Sequence, residues 1–123
     1  MSTYHFGIFD YDAALRVRRF SSGPGAAALS DGFSFPNVLY RWDTGESVHD
    51  GGEKFGSEAC AADPASRRIY PFEPDALFYI ADFTGPSMAL SPREVLKRQI
   101  ARADAMGFDV RSAFECEFTV LDE

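Results

Sequence analysis

The sequence predicts an α+β fold, and three stretches carry that expectation. Residues 15–20, Leu15-Arg16-Val17-Arg18-Arg19-Phe20, alternate apolar and basic side chains as a strand does, and an aromatic strand-former run, Tyr4 to Asp10, precedes them. Residues Leu77 to Phe83 are nearly continuous in apolar character, the pattern of a strand covered on both faces. From Ser91 the pattern changes to a capped amphipathic helix. The 123 residues suffice for one ordinary domain or two small pieces. Twelve phenylalanines imply a real core, or an interface whose other half lies elsewhere.

Charge and composition exclude some functions. A net charge of -7 argues against a nucleic-acid footprint. No run of 18 apolar residues exists, so no membrane span is expected. Met1-Ser2-Thr3-Tyr4-His5 lacks the basic-then-apolar pattern of a secretory signal, which leaves the cytoplasm as the default location. Cys60 and Cys116 fit no metal or redox spacing. His5 and His49 have no partner at ligand spacing and read as loop or strand-end histidines.

In chain order, Tyr4–Asp10 and Leu15–Phe20 form a hairpin across Asp10–Ala14, with one face wet. Arg16, Arg18 and Arg19 are then either a solvated strand face or an edge that meets an anionic partner. Ser21–Gly25 is a breaker cluster, and Ala26–Ser30 a short helix closed by Asp31-Gly32. Phe33–Asp43 is aromatic, interrupted by Pro36, and too irregular for a clean strand. Residues 44–58 read as a polar loop, acidic at Glu46, Asp50, Glu53 and Glu58, around a short strand at Ser47-Val48-His49. Ala61–Arg68 is a turn, and Ile69–Pro74 an extended segment punctuated by prolines.

The clearest element is the helix over 92–106. Ser91 can cap it, Pro92 suits its first position, and Glu94 completes a capping box. Val95, Leu96, Gln99, Ile100 and Ala103 form the face expected to pack, Arg93, Lys97, Arg98 and Arg102 a solvated basic stripe, and Gly107 the stop. A strand is expected over about 111–120. There Glu115 and Glu117 would share one face with Thr119, and Phe114, Cys116, Phe118 and Val120 the other. Carboxylates two residues apart, with Cα atoms about 6.6 Å apart in a strand, are either a solvated face or donors for a divalent cation, magnesium or manganese by their hardness.

Four segments in order and spacing resemble the glutamine synthetase family: Arg68-Ile69-Tyr70-Pro71-Phe72-Glu73-Pro74, Ile80-Ala81-Asp82, Leu90-Ser91-Pro92-Arg93-Glu94, and Glu115-Cys116-Glu117-Phe118. Phe35–Asp43 is similar to members that act on amines or polyamines. The resemblance implies a β-grasp-like N-terminal domain over 1–88, then over 89–123 the first helix and strand of the catalytic domain. It implies ATP-dependent ligation of glutamate's side-chain carboxylate to ammonia or an amine through γ-glutamyl phosphate. Glu115 would be the ligand on the nucleotide side and Glu117 the one on the substrate side of a two-metal (Mg2+ or Mn2+) site. It further implies a homo-oligomeric ring in which neighbouring subunits share active sites. No catalytic or nucleotide-binding residue is carried over. The remaining metal ligands, the nucleotide pocket and the substrate arginines have no counterpart here, so the chain alone is expected to be inactive.

Two departures bear on the substrate. The Asp-Gly-Ser-Ser-like loop tied to ammonium binding is replaced by Ser34-Phe35-Pro36-Asn37-Val38, with Asp31 and Asp43 flanking it, which favours an amine. Ala113-Phe114 stands where the family has Gly before the first motif glutamate. The alternatives are a stand-alone module that docks on full-length ring subunits, and an unrelated small α/β protein.

Overall fold

The computed structural model describes residues 2–45, 47–49 and 55–121. Its elements are β1 (Tyr4–Phe9), β2 (Leu15–Phe20), α1 (Ser22–Asp31), β3 (Phe33–Pro36), β4 (Ser57–Ala62), β5 (Arg68–Ile69), β6 (Leu77–Phe83) and α2 (Pro92–Ala105). Short 3-10 turns at Asn37–Arg41, Pro64–Ser66 and Pro86–Leu90 join them. The strands form one sheet in the order β2-β1-β6-β4-β3, with β5 also on β6. β1 and β6 run parallel; the other pairs are antiparallel.

The hairpin forms because Asp10 organises its turn. The Asp10 carboxylate accepts the backbone N–H of Asp12 and Ala14 at 3.1 and 2.8 Å and the Arg16 guanidinium at 2.9 Å. These bonds satisfy a buried charge and hold Ala13 at its positive φ of 59°. The register pairs Tyr4 with Phe20 and Phe9 with Leu15. The alternation along β2 is as expected, but its sides differ from a simple wet face. Arg16 and Arg18 share the face of Ile8 and Phe6. There Arg16 lies 4.8 Å above the Trp42 ring, and Arg18 donates to the Ser34 carbonyl. Arg19 points the other way, onto Glu73. Leu15 and Val17 share the outer face with Phe9, and all three are half-exposed.

The core lies between the inner sheet face and α1. Phe6, Ile8, Tyr79, Ala81, Phe83, Cys60 and Phe35 supply it from the strands, and Ala28 from the helix. Leu39 and Tyr40 close one end from the 3-10 turn after Pro36. The rings meet tilted or edge-on, as Phe6–Phe33 at 4.9 Å and Tyr40–Phe83 at 5.4 Å do. α1 begins earlier than the breaker cluster suggests. Pro24 falls in its first turn, where a missing N–H costs nothing, and Gly25 lets Tyr4 lie against the backbone. A Cβ on Gly25 would stand 2.4 Å from the Tyr4 ring.

β4 corrects the end of the loop expected over 44–58 and the start of the turn expected over 61–68, because Ser57–Ala62 is a strand. Ser, Glu and Ala are weak strand formers, and this strand exists because β3 and β6 pair with it on either side. Val48 makes a single bridge to Trp42 where a short strand was expected. Glu46, Asp50 and Glu53 lie outside the described residues. β6 is the buried strand its composition predicts, with Tyr79, Ala81 and Phe83 inward. Among the described residues no helix is long and apolar enough to cross a membrane.

The segment between β5 and β6 is fastened by charge. The Glu73 carboxylate accepts from Arg19 at 2.7 and 3.2 Å and bonds the His5 ring at 3.1 Å, while His5 stacks on Tyr70 with centroids 4.4 Å apart. Arg19 pulls the Glu73 carboxyl down to about 2. A carboxylate with a depressed folded value stabilises the fold above its unfolded value and loses that contribution as pH falls. Between about pH 4.5 and 2, Glu73→Gln is therefore expected to lose less stability than the wild type, measured as urea midpoints across that range. Backbone conformation gives a second test. Gly32 has φ 83°, and a Cβ there would lie 2.7 Å from the Cys60 carbonyl, whereas Gly107 has φ 84° in open space. Gly32→Ala should lower global stability by about 1–3 kcal/mol. Gly107→Ala carries the strain of its positive φ but meets no atom, so it should lower stability by less, about 1 kcal/mol, read from the Trp42 fluorescence unfolding curve.

Candidate functional site

The approach to the carboxylate pair begins at Ser91. Its hydroxyl caps α2 by accepting the Glu94 N–H at 3.4 Å, and the residue is fully buried. Tyr11 donates its hydroxyl to the Leu90 carbonyl at 2.6 Å, so the β1–β2 turn grips the same point. Pro92 opens the helix and Gly107 ends it in the left-handed conformation, as the sequence predicts. The apolar face of α2, however, is not packed. No residue of the helix is buried, and Val95, Leu96 and Ile100 are exposed.

Charge holds the helix instead. Arg93 forks across two carboxylates, with Nη2 at 2.5 Å from Asp63 and Nη1 on Asp82. Lys97 Nζ reaches Asp82 at 2.8 Å and also pairs with Glu94. Asp82 stands near the end of β6, and Asp63 caps the 3-10 turn after β4 by accepting the Ala65 N–H. The Arg93 guanidinium holds the Asp63 carboxyl below its usual range. Burial pushes the Arg93 value down, but Asp63 and Asp82 outweigh it and raise it. Arg93 and Lys97 are thus bonded to the sheet and do not belong to a solvated stripe. The available signal was an Asp closing an apolar strand and an Asp before Pro64, both awaiting cations.

The strand expected over 111–120 does not form. Residues 108–121 have no regular secondary structure and pair with no strand. A strand is stable only on a neighbour's ladder, and here both faces are open: Phe114 is 100% exposed and Phe118 85%. Glu115 and Glu117 are exposed in this segment, with Cys116 between them. As hard oxygen donors they suit magnesium or manganese, but a magnesium ion takes about six oxygens. Among the described residues no three His, Cys, Asp or Glu side chains gather as a metal site. The two carboxylates do not make one by themselves.

Three other carboxylates among the described residues are committed to structure. Glu58 accepts from Asn37 at 2.9 Å and from the Ser87 hydroxyl and N–H at 2.7 and 2.9 Å. Burial works to raise its value, and these bonds outweigh that and lower it. Glu58 lines a cavity of about 200 Å³ with Arg41, Phe55 and Pro86. Asp43 accepts the Gly45 and Ser47 N–H groups at 2.9 Å and pairs with His49 at 3.5 Å; Asp31 accepts the Ser30 hydroxyl at the end of α1. Both behave as turn or helix-end residues. The Cys60 thiol is buried and pushed up to about 12, which leaves it unreactive.

Comparison with known proteins gives this arrangement a context. Residues 89–123 match the family model for the glutamine synthetase catalytic domain. The whole chain aligns with a glutamate–isopropylamine ligase of a Pseudomonas species at 27% identity, covering 29% of that protein. Type-1 glutamine synthetase 2 of Dictyostelium discoideum aligns at 25% identity over 89% of the chain and 23% of its own length. A γ-glutamylethanolamide synthetase, GlnA4, of Streptomyces coelicolor aligns at 29% identity over 68% of the chain and 17% of its own. The fold is similar to that of GmaS, solved as an ADP complex, with a TM-score of 0.66 at 21% identity over 85% of this chain and 23% of that one. The chain therefore spans less than a third of the curated relatives it matches, and what it shares with them is similarity to the N-terminal part of glutamine synthetase-like ligases, with residues 89–123 matching the catalytic-domain model.

Proposed function

We propose that this chain is the N-terminal part of an ATP-dependent ligase that joins an amine to the side-chain carboxylate of glutamate. One observation carries the reading: the stretch that matches the catalytic-domain model, 89–123, holds a capped helix and, downstream of it, Glu115-Cys116-Glu117-Phe118. Two of the named relatives are an isopropylamine ligase and an ethanolamide synthetase. Together with the replaced ammonium loop at Ser34–Val38, this supports an alkylamine over ammonia as co-substrate. The hairpin, helix and parallel β1–β6 pairing support a β-grasp-like unit over 1–88, with 89–123 opening the catalytic domain.

In this reading Glu115 and Glu117 donate to the divalent-metal sites, Glu115 toward the nucleotide and Glu117 toward glutamate. Other donors come from the rest of the catalytic domain. Magnesium or manganese supplies charge neutralisation for phosphoryl oxygens when bound. What this chain contributes is two carboxylates on one strand face, once that strand is paired. Glutamate's carboxylate is a poor electrophile, and phosphorylation by ATP supplies a leaving group. A protonated amine must lose a proton before it attacks. The complete enzyme is a cytoplasmic homo-oligomeric ring, and the chain alone does not turn over.

Two measurements test the proposal. Manganese titration of the chain grafted in place of the aligned segment of the Pseudomonas ligase, read by the loss of the free-ion EPR signal, should show binding that falls severalfold in Glu115→Gln and in Glu117→Gln. Affinity indifferent to both removes the metal role. Second, the same graft is assayed for amide formation from glutamate, ATP and isopropylamine. Activity is expected in the graft, with a loss of about 100-fold or more in Glu117→Gln. Equal activity in the Glu115→Gln, Glu117→Gln double variant rejects the assignment.

A further inference from the structure

α2 leaves the sheet with none of its side chains buried, yet it carries the whole segment 107–121. Its attachment is confined to its beginning: the buried cap Ser91, the Tyr11 bond to Leu90, and the charged cluster of Asp63, Asp82, Arg93 and Lys97. A hydrogen-bonded cap fixes where a helix starts. It does not fix where the helix points, because one point of attachment leaves rotation free. A second attachment off the axis is needed, and the Arg93 fork supplies it. The fork ties the first turn to β6 through Asp82 and to the turn after β4 through Asp63. Lys97, one turn further along, adds a third tie to the same Asp82 oxygen.

We infer that Arg93, bridging Asp63 and Asp82, is a positioning residue that sets the direction of α2, and through it the place where Glu115 and Glu117 are offered to the rest of the active site. The inference rests on the ligase reading for its purpose, but not for its geometry. α2 has 14 residues and so reaches about 21 Å. A swing of about 30° at the clamp moves its far end by about 10 Å, several times the tolerance of a metal–ligand geometry. Arginine is the suited residue, since its planar fork can hold two carboxylates at a fixed angle, whereas a lysine ammonium is a single point charge.

The test uses nitroxide pairs in the full chain. Labels go on Ser57→Cys in β4 and Ala105→Cys at the end of α2, both exposed, with Cys116→Ser in the background and buried Cys60 left in place. Pulsed dipolar EPR then gives the distance distribution. A single narrow distribution is expected in the parent. Arg93→Gln and Asp82→Asn should broaden it or shift it by about 5–10 Å, the swing estimated from the helix length. Arg93→Lys should fall between, and Trp42 fluorescence should report an unchanged unfolding midpoint for the sheet. A distribution that stays narrow and unmoved in both Arg93→Gln and Asp82→Asn overturns the inference. So does broadening that occurs only together with a lowered sheet midpoint, since that is a loss of fold. A helix that swings in Arg93→Gln, with the manganese affinity of the grafted ligase indifferent to Glu115→Gln and Glu117→Gln, upholds the clamp and rejects the ligase reading.

Discussion

β6 is the constraint on which the rest of the molecule depends. It is the strand through which the β1–β2 hairpin and the β3–β4 pair meet, parallel to one and antiparallel to the other. Its inward residues Tyr79, Ala81 and Phe83 face both α1 and the turn that carries Leu39 and Tyr40. The strand also sets the start of everything that follows. Its penultimate residue, Asp82, takes both Arg93 and Lys97, so the central strand of the fold also anchors the helix leading to the carboxylate pair.

Two kinds of force are separated along the chain. Up to Phe83 the structure is held by apolar burial, with charges placed at its rims: Asp10 with Arg16, and Glu73 with Arg19 and His5. After Ser91 apolar burial ceases and charge alone continues. The exposed ion pair between Lys97 and Glu94 adds little, as surface pairs do. The Arg93 fork differs because its partners are on two elements and are themselves part-buried. Geometry rather than strength is what such a fork supplies. The apolar stripe of α2, with Val95, Leu96 and Ile100, is a face made for packing that the first 90 residues do not provide.

The parts legible in the sequence were those whose signal is local. Alternation gave the β1–β2 hairpin, the apolar run gave β6, and Ser91, Pro92, Glu94 and Gly107 bounded α2. What was hidden depends on neighbours. β4 carries Ser-Glu-Ala-Cys-Ala-Ala, which no propensity marks as a strand; it is one because β3 and β6 flank it. The reverse holds at 111–120, where the local pattern is a good strand and no ladder is available to make it one. The sides of Arg16 and Arg18 were hidden for the same reason. Alternation says which residues share a face, while Trp42 and Ser34, brought in from afar, decide which face is inner. The glutamine synthetase resemblance came from the order of four short segments, and among them Asp82 and Arg93 proved to be bonded to each other.

The behaviour of the last segment follows from that dependence on neighbours. Glu115 and Glu117 lie on one face only if the backbone between them is pleated, since the period of two belongs to the strand and not to the residues. Ordering a backbone costs about 1–2 kcal/mol per residue, and two exposed carboxylates sharing one hydrated ion return too little to order ten residues. The return must come from elsewhere on the same segment. Phe114, Phe118 and Val120, which would line the opposite face, are exposed and have apolar surface to bury. Pairing that face onto the rest of a catalytic domain would order the strand and align the carboxylates in one event. In the ligase reading, formation of a metal site and covering of the apolar face would be the same step. The direction of α2 decides whether the segment arrives where that step can occur.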